Sequence, residues 1–269
     1  LLDLSRVAPT SSQLLEQDAL APTVRRALAT APRIAELSTV LANSDESTRD
    51  ARQPWLLAPS DLQVIKASGV TFVASLLERV IEEQARGDAS KAEAIRESLQ
   101  SILGDNLAGI VPGSAEAERV KQVLISQGAW SQYLEVGIGP DAEIFTKAPV
   151  LSAVGTGAHV GIHPKSHWNN PASCAIGPFI RLFDEHFGIA DVRKADLAMR
   201  VEGRDGFKMH GASSLSMISR DPLDIVTHAI NPNHHYPDGF MLFLGTMFAP
   251  TQDRHGPGAG FTHDVGDMV

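Results

Sequence analysis

The chain has 269 residues, 43% of them hydrophobic, enough for one large domain or two modest ones with a sizeable core. A formal charge of −9, a pI near 5.5 and the lack of any basic run make nucleic acid and anionic membrane poor partners. The single cysteine, Cys174, excludes an internal disulfide and fits a reducing, cytoplasmic setting, and no apolar stretch approaches the roughly 18 residues needed to span a bilayer. The opening Leu-Leu-Asp carries no basic lead or apolar run, so no signal peptide is expected.

Residues 1–60 are rich in Ala, Leu, Ser and Pro and predict helices over 13–20 and 32–42, a polar loop over 43–50, and a short apolar segment, RQPWLLAP, over 52–59. The strongest helix is 70–86. Phe72, Val73, Leu76, Leu77, Val80 and Ile81 recur at a helical period, and Gly87 ends it. Ser75, Glu78, Arg79 and Glu82 fall on the opposite face; Ser75 and Glu78, three apart, are neighbours there, and on pattern alone this is an ordinary solvated face. Two further helices are predicted over 89–103 and 115–127. The first carries Ile95, Leu99, Ile102 and Leu103 on one face; the second has Ser114 as its N-cap, and Gly128 closes it. They suit a small helical insertion.

From Gln132 the pattern changes to short strands with many glycines and prolines. Residues 136–140 form a turn-rich approach, and 144–147 a strand leading to Pro149. The run GTGAHVG at 155–161 is not a phosphate loop, because no Gly-Lys-Ser/Thr and no helix follow it. His159, His163 and His167 are four apart, but Gly161 and Pro164 argue against the helix that would turn them to one metal. Residues 180–188 form a strand or short turn. A hairpin is expected from 197–201 through the turn 202–205 into 207–211. Asp221-Pro222-Leu223-Asp224 is a helix start with Asp221 as cap and proline at the first helical position, running to about Ala229. Residues 236–246, YPDGFMLFLGT, join a turn to a buried apolar strand that stops at Gly245. A glycine there permits close backbone approach, and Thr246 offers an N–H and a hydroxyl to a small anion; a core strand with a tight exit is the plainer alternative. Residues 249–260 form a flexible glycine-rich loop whose Asp253, Arg254 and His255 are within reach of a ligand or merely solvated.

Four stretches in order, IFTKAP at 144–149, SCAIGPF at 173–179, YPDGFMLFLGT at 236–246 and FTHDVGDMV at 261–269, resemble the fumarylacetoacetate hydrolase superfamily, nearest to bacterial proteins similar to 2-keto-3-deoxy-pentonate dehydratases. The resemblance implies an α+β chain: a mixed β-roll over 131–269 as catalytic domain and a smaller helix-containing N-terminal domain over 1–130 with a lid helix. It implies that Gly245 and Thr246 bind substrate, and that Lys147, otherwise a surface lysine, meets its carboxylate. The family's hydrolases place a histidine and, three residues on, a glutamate on the lid to activate water. In the frame TFVASLLE, 71–78, the glutamate is Glu78 but the histidine is replaced by Ser75, which has no group titrating near neutral pH. Ser75 and Glu78 are therefore the candidate catalytic pair, with hydrolysis disfavoured.

The family's metal, Mg²⁺ or Mn²⁺, is held by a Glu-x-Glu pair and a later aspartate that follow a Trp-Asn-x-Pro segment. Here SHWNNP at 166–171 runs directly into Ala172, and no Glu-x-Glu follows, so the sequence offers no metal ligands. Either the metal site is lost, or a segment is missing between Pro171 and Ala172 and again after Val269. The unpaired strand edges that a true deletion would leave favour the second. The resemblance implies a metal-dependent dehydratase turning a 2-keto-3-deoxypentonate into 2,5-dioxopentanoate in non-phosphorylative sugar catabolism, as a homodimer or higher homo-oligomer. In that reaction the ion chelates the oxo-acid, a C3 proton leaves, and Glu78 assists departure of the C4 hydroxyl. A C–C hydrolase of a 2,4-dioxo acid, with His210 or a loop histidine standing in for the missing one, and a non-catalytic binding homologue are the alternatives.

Overall fold

A computed structural model describes residues 1–86, 91–103, 110–160, 174–248, 250 and 252–269. The chain is α+β. It divides into two compact units, each drawn from three segments. Leu1–Lys66, Thr146–Ile189 and Pro232–Leu242 form the first; Ala67–Phe145, Ala190–Asn231 and Phe243–Val269 form the second. A boundary at 130/131 thus falls inside the second unit.

The first unit begins with helices α1 (Ser11–Leu15), α2 (Leu20–Leu28) and α3 (Leu37–Asn43). The helix anticipated over 13–20 is therefore split between α1 and α2. Thr10 caps α1 early by accepting from the Gln13 amide at 3.2 Å, and Pro22 sits in the first turn of α2, where a missing N–H costs nothing. The helix anticipated from 32 starts only at Leu37, because an antiparallel bridge between Leu2 and Arg33 holds the preceding chain extended. Asn43 then clamps the loop after α3, donating to the carbonyls of Asp50, Gln53 and Pro54 at 3.1, 3.2 and 3.1 Å. A parallel pair, β3 (Ala153–Val154) with β4 (Cys174–Ala175), packs on a small core of Ile65, Ala148 and Cys174.

A three-stranded sheet runs in the order β2 (Ile144–Ala148), β1 (Val64–Ser68), β7 (Phe240–Phe243). Strand β1, with its alternating Val64-Ile65-Lys66-Ala67, has no counterpart in the sequence reading. The turn before β7 forms as expected: Gly239 takes φ +75°, its amide bonds the Tyr236 carbonyl at 2.9 Å, and the buried Gln63 amide grips Asp238 O at 3.0 Å. Strand β7 itself is four residues long and only half-buried, with Phe243 exposed; it is an edge strand rather than a fully buried one.

The second unit is built on α4 (Val73–Ala85). Leu76, Val80 and Ile81 are buried and form one core with Leu99 of α5 (Ala92–Leu103), Ala117 and Leu124 of α6 (Ala115–Ser126), and Leu134 and Ile138 of α7 (Gln132–Ile138). Burying each such leucine contributes about 1.5–3 kcal/mol. Ser114 caps α6 as expected, accepting from Ala117 N at 3.1 Å. The short strands expected from Gln132 and the turn-rich approach at 136–140 are replaced by helix α7 as far as Ile138. Ser131 caps it, accepting from the Tyr133 amide at 3.2 Å, and Gly137 lets α7 approach α4, since a Cβ there would lie 2.7 Å from Leu76.

Beyond the short α8 (Ile189–Val192), β5 (Asp196–Glu202) and β6 (Lys208–Ser214) pair antiparallel over seven residues, Val201 facing Met209 on the buried side. The α9 helix (Pro222–Ala229) starts as expected, Asp221 accepting from Leu223 N at 2.9 Å. The buried Arg220 ends α7, donating to the carbonyls of Val136, Gly139 and Asp141 at 3.2, 2.6 and 3.1 Å.

Candidate functional site

The chain leaving β7 turns at Gly245, whose φ of +117° is closed to ordinary L-residues. A Cβ at this position would overlap Thr71 Oγ1 and lie 2.9 Å from the Gly69 carbonyl. The buried Thr71 donates from its hydroxyl to Leu244 O at 2.5 Å, while its own carbonyl accepts from Ser219 N and Ser219 Oγ at 2.7 and 2.9 Å. Gly245 is therefore held against the segment that enters α4, and Thr246, half-buried, follows it. Two stretches some 170 residues apart in sequence meet here, with Thr71 and Leu244 bonded directly.

One turn into α4 the two lid-frame residues part. Ser75 is not on a solvated face: it is 1% exposed, and its hydroxyl has no hydrogen-bond partner among the described residues. Such an orphan costs about 1–3 kcal/mol unless something bonds it. Glu78 stands on the flank of the helix, its side chain 26% exposed, and both its oxygens accept from Arg96 Nη2 of α5, at 3.2 and 3.1 Å. Arg96 is held in turn through Nη1 by Glu93 at 2.5 Å. Lys147, half-buried on β2, belongs to the first unit, whereas Ser75, Glu78, Gly245 and Thr246 belong to the second. Its charge reaches Cys174, whose thiol is nonetheless pushed up by burial.

A second polar centre lies in the segment read from sequence as a flexible loop. Arg254, with 1% of its side chain exposed, bonds Asp205 at 3.0 and 3.3 Å and Asp267 at 2.6 and 3.0 Å, lies 3.4 Å from Asp264, and stacks 4.6 Å over the Phe207 ring. These bonds keep Arg254 charged and hold Asp267 down at about 2. Asp253 ties the same loop, accepting from Gly258 N and Gly260 N at 2.7 and 2.9 Å. Arg254 is thus committed to internal bonds, whereas Asp253 braces the loop while staying exposed.

Asp205, His255 and Asp264 bring ligand-type atoms within 4.8 Å of one another. They do not fit the divalent ion implied by the resemblance. Asp205 and Asp264 already face the Arg254 guanidinium at 3.0 and 3.4 Å, so a divalent ion here would meet a fixed positive charge, and His255 lies 3.2 Å from Asp264. His159 is exposed with its amide on Glu46 at 2.7 Å, while His163, His167 and the 171/172 junction lie outside the described residues. His210 is on the exposed face of β6, opposite Arg200. No short-range signal marked Arg254 or Arg96: their carboxylate partners lie up to 49 and 18 residues away. Among the described residues, no helix is long and apolar enough to cross a membrane.

A scan against protein-family models finds no match to this chain, and comparisons with the curated proteins and with solved structures find none either.

Proposed function

We propose that the chain is an enzyme acting on a small 2-oxo acid, on the fumarylacetoacetate-hydrolase-like scaffold that its motifs resemble, and that the reaction is dehydration of a 2-keto-3-deoxy sugar acid. The supporting observation is the junction of Gly245 with Gly69 and Thr71: the strand end assigned to the substrate and the lid helix carrying Glu78 adjoin at this point. In this reading the backbone at Gly245 and Thr246 receives the carboxylate end. Glu78 takes the proton from C3; the electron pair left behind forms the C3–C4 double bond as the C4–O bond breaks, and Glu78 returns its proton to the departing hydroxyl, which leaves as water. The product of this step is the C3–C4 unsaturated 2-oxo acid; loss of a proton from C5 and its return at C3 moves the double bond to C4–C5, and that enol tautomerises to the 2,5-dioxo acid. No step is routed through a divalent ion, because the described side chains do not form its seat.

The test is direct. A 2-keto-3-deoxypentonate is incubated with the protein, with Mg²⁺ or Mn²⁺ and with chelator, and semialdehyde formation is followed. Product that vanishes in Glu78→Gln supports the reading; no product under any condition overturns it. The commitment of the Asp205/His255/Asp264 cluster to Arg254 favours a second reading, a non-catalytic homologue that binds oxo-acids without turnover. Calorimetric binding of pyruvate without conversion of the sugar acid is the result it expects.

A further inference from the structure

We propose that Arg96 is a positioning residue for Glu78, so that the helical insertion α5 sets the direction of the proton-transferring carboxylate; this rests on the dehydratase reading above. A glutamate on the flank of a helix has three side-chain torsions and, left alone, samples many orientations. Here one guanidinium nitrogen meets both Glu78 oxygens, at 3.2 and 3.1 Å. The other side of the same guanidinium is fixed by Glu93 at 2.5 Å. The backbone beneath is anchored by Leu99, one turn further along α5 and 2% exposed in the shared core with α4. Glu93, Arg96 and Glu78 thus form a chain of contacts from the insertion to the lid helix.

As a stabilising device the pair has little to offer: the Arg96 and Glu78 side chains are 37% and 26% exposed, where water screens an ion pair to little net effect. Orientation is what it supplies. Proton transfer depends steeply on the placement of the carboxylate oxygen, and an error of about 1 Å costs on the order of 100-fold in rate.

The experiment compares Arg96→Met, Arg96→Lys, Glu78→Gln and the Glu78→Gln/Arg96→Met double variant in sugar-acid dehydration, together with carbodiimide labelling of Glu78 followed by mass spectrometry. The expected result for Arg96→Met is kcat lowered about 10- to 100-fold with KM within about twofold, an unchanged melting temperature and faster labelling of Glu78. Arg96→Lys restores part of kcat, and the double variant is no slower than Glu78→Gln alone. If Glu78→Gln is inactive while Arg96→Met turns over normally, Arg96 has no such role and the dehydratase reading stands. If Glu78→Gln turns over normally, both fall. If labelling of Glu78 is unchanged in Arg96→Met, the orienting contact is absent and the proposal is overturned whatever the activity.

Discussion

Two regions of the second unit are held together by different physics. Around α4, Leu76, Val80, Leu99, Leu124 and Leu134 are removed from water by one another, with no ion pair among them. Between the β5–β6 turn and residues 252–269, a single buried arginine gathers Asp205, Asp264 and Asp267. Apolar packing is indifferent to pH and degrades gradually as atoms are removed. A buried ion cluster depends on the ionisation of every member, and removing its centre leaves like charges facing each other.

The sharpest way to break the comparison is Arg254→Met, which leaves the buried Asp267 beside Asp205 and Asp264 without a counter-charge; the urea midpoint of unfolding at pH 7 is expected to fall. Leu76→Ala, 1% exposed against Gly137, is expected to cost about 2–5 kcal/mol through lost burial and an unfilled cavity. Repeating both at low pH separates them. Arg254 holds the Asp267 carboxyl at about 2 against an ordinary 3.8. A depressed carboxyl contributes stability that is full above its ordinary value and is lost as pH falls through about 2. The Arg254→Met deficit should therefore shrink between pH 4 and pH 2, while the Leu76→Ala deficit stays level; parallel curves would refute the assignment of the cluster.

Smaller effects sharpen the picture at the candidate site. Gly245→Ala combines a forbidden φ with an overlap on Thr71, for an expected loss of roughly 1–3 kcal/mol and weakened oxo-acid binding. A Tm unchanged from wild type would mean that the approach of β7 to the α4 entry is looser than 2.5 Å between Thr71 Oγ1 and Leu244 O implies. Asp221→Ala removes the α9 cap and its Arg193 pairing, for about 1 kcal/mol.

Where sequence reading succeeded, the governing interactions are local. The α4 stripe, the Ser114 and Asp221 caps and the β5–β6 hairpin all follow from residues within a few positions of each other. The reading failed at α7, where glycines and Pro140 suggested turns, because burial of Leu134 and Ile138 outweighs the low helix preference of Gly137. Of the candidate site, the strained glycine at 245 was legible from its place after an apolar run. The inward direction of Ser75 was not, since serine and glutamate are equally polar on a helical wheel and only the packing partners of α4 decide which face is dry.

The amino-acid order by itself determined helices α4, α6 and α9 and the β5–β6 hairpin, because periodicity, capping and turn chemistry act between near neighbours. It also placed a backbone kink at Gly245 and an acid at position 78. Tertiary structure alone decided what those groups touch: Thr71 behind Gly245, Arg96 on Glu78, and Arg254 at the centre of three aspartates. Such contacts join residues from 10 (Arg254 and Asp264) to 173 (Thr71 and Leu244) positions apart, and their strength depends on dielectric, exposure and angle, none of which is written in the order of the residues.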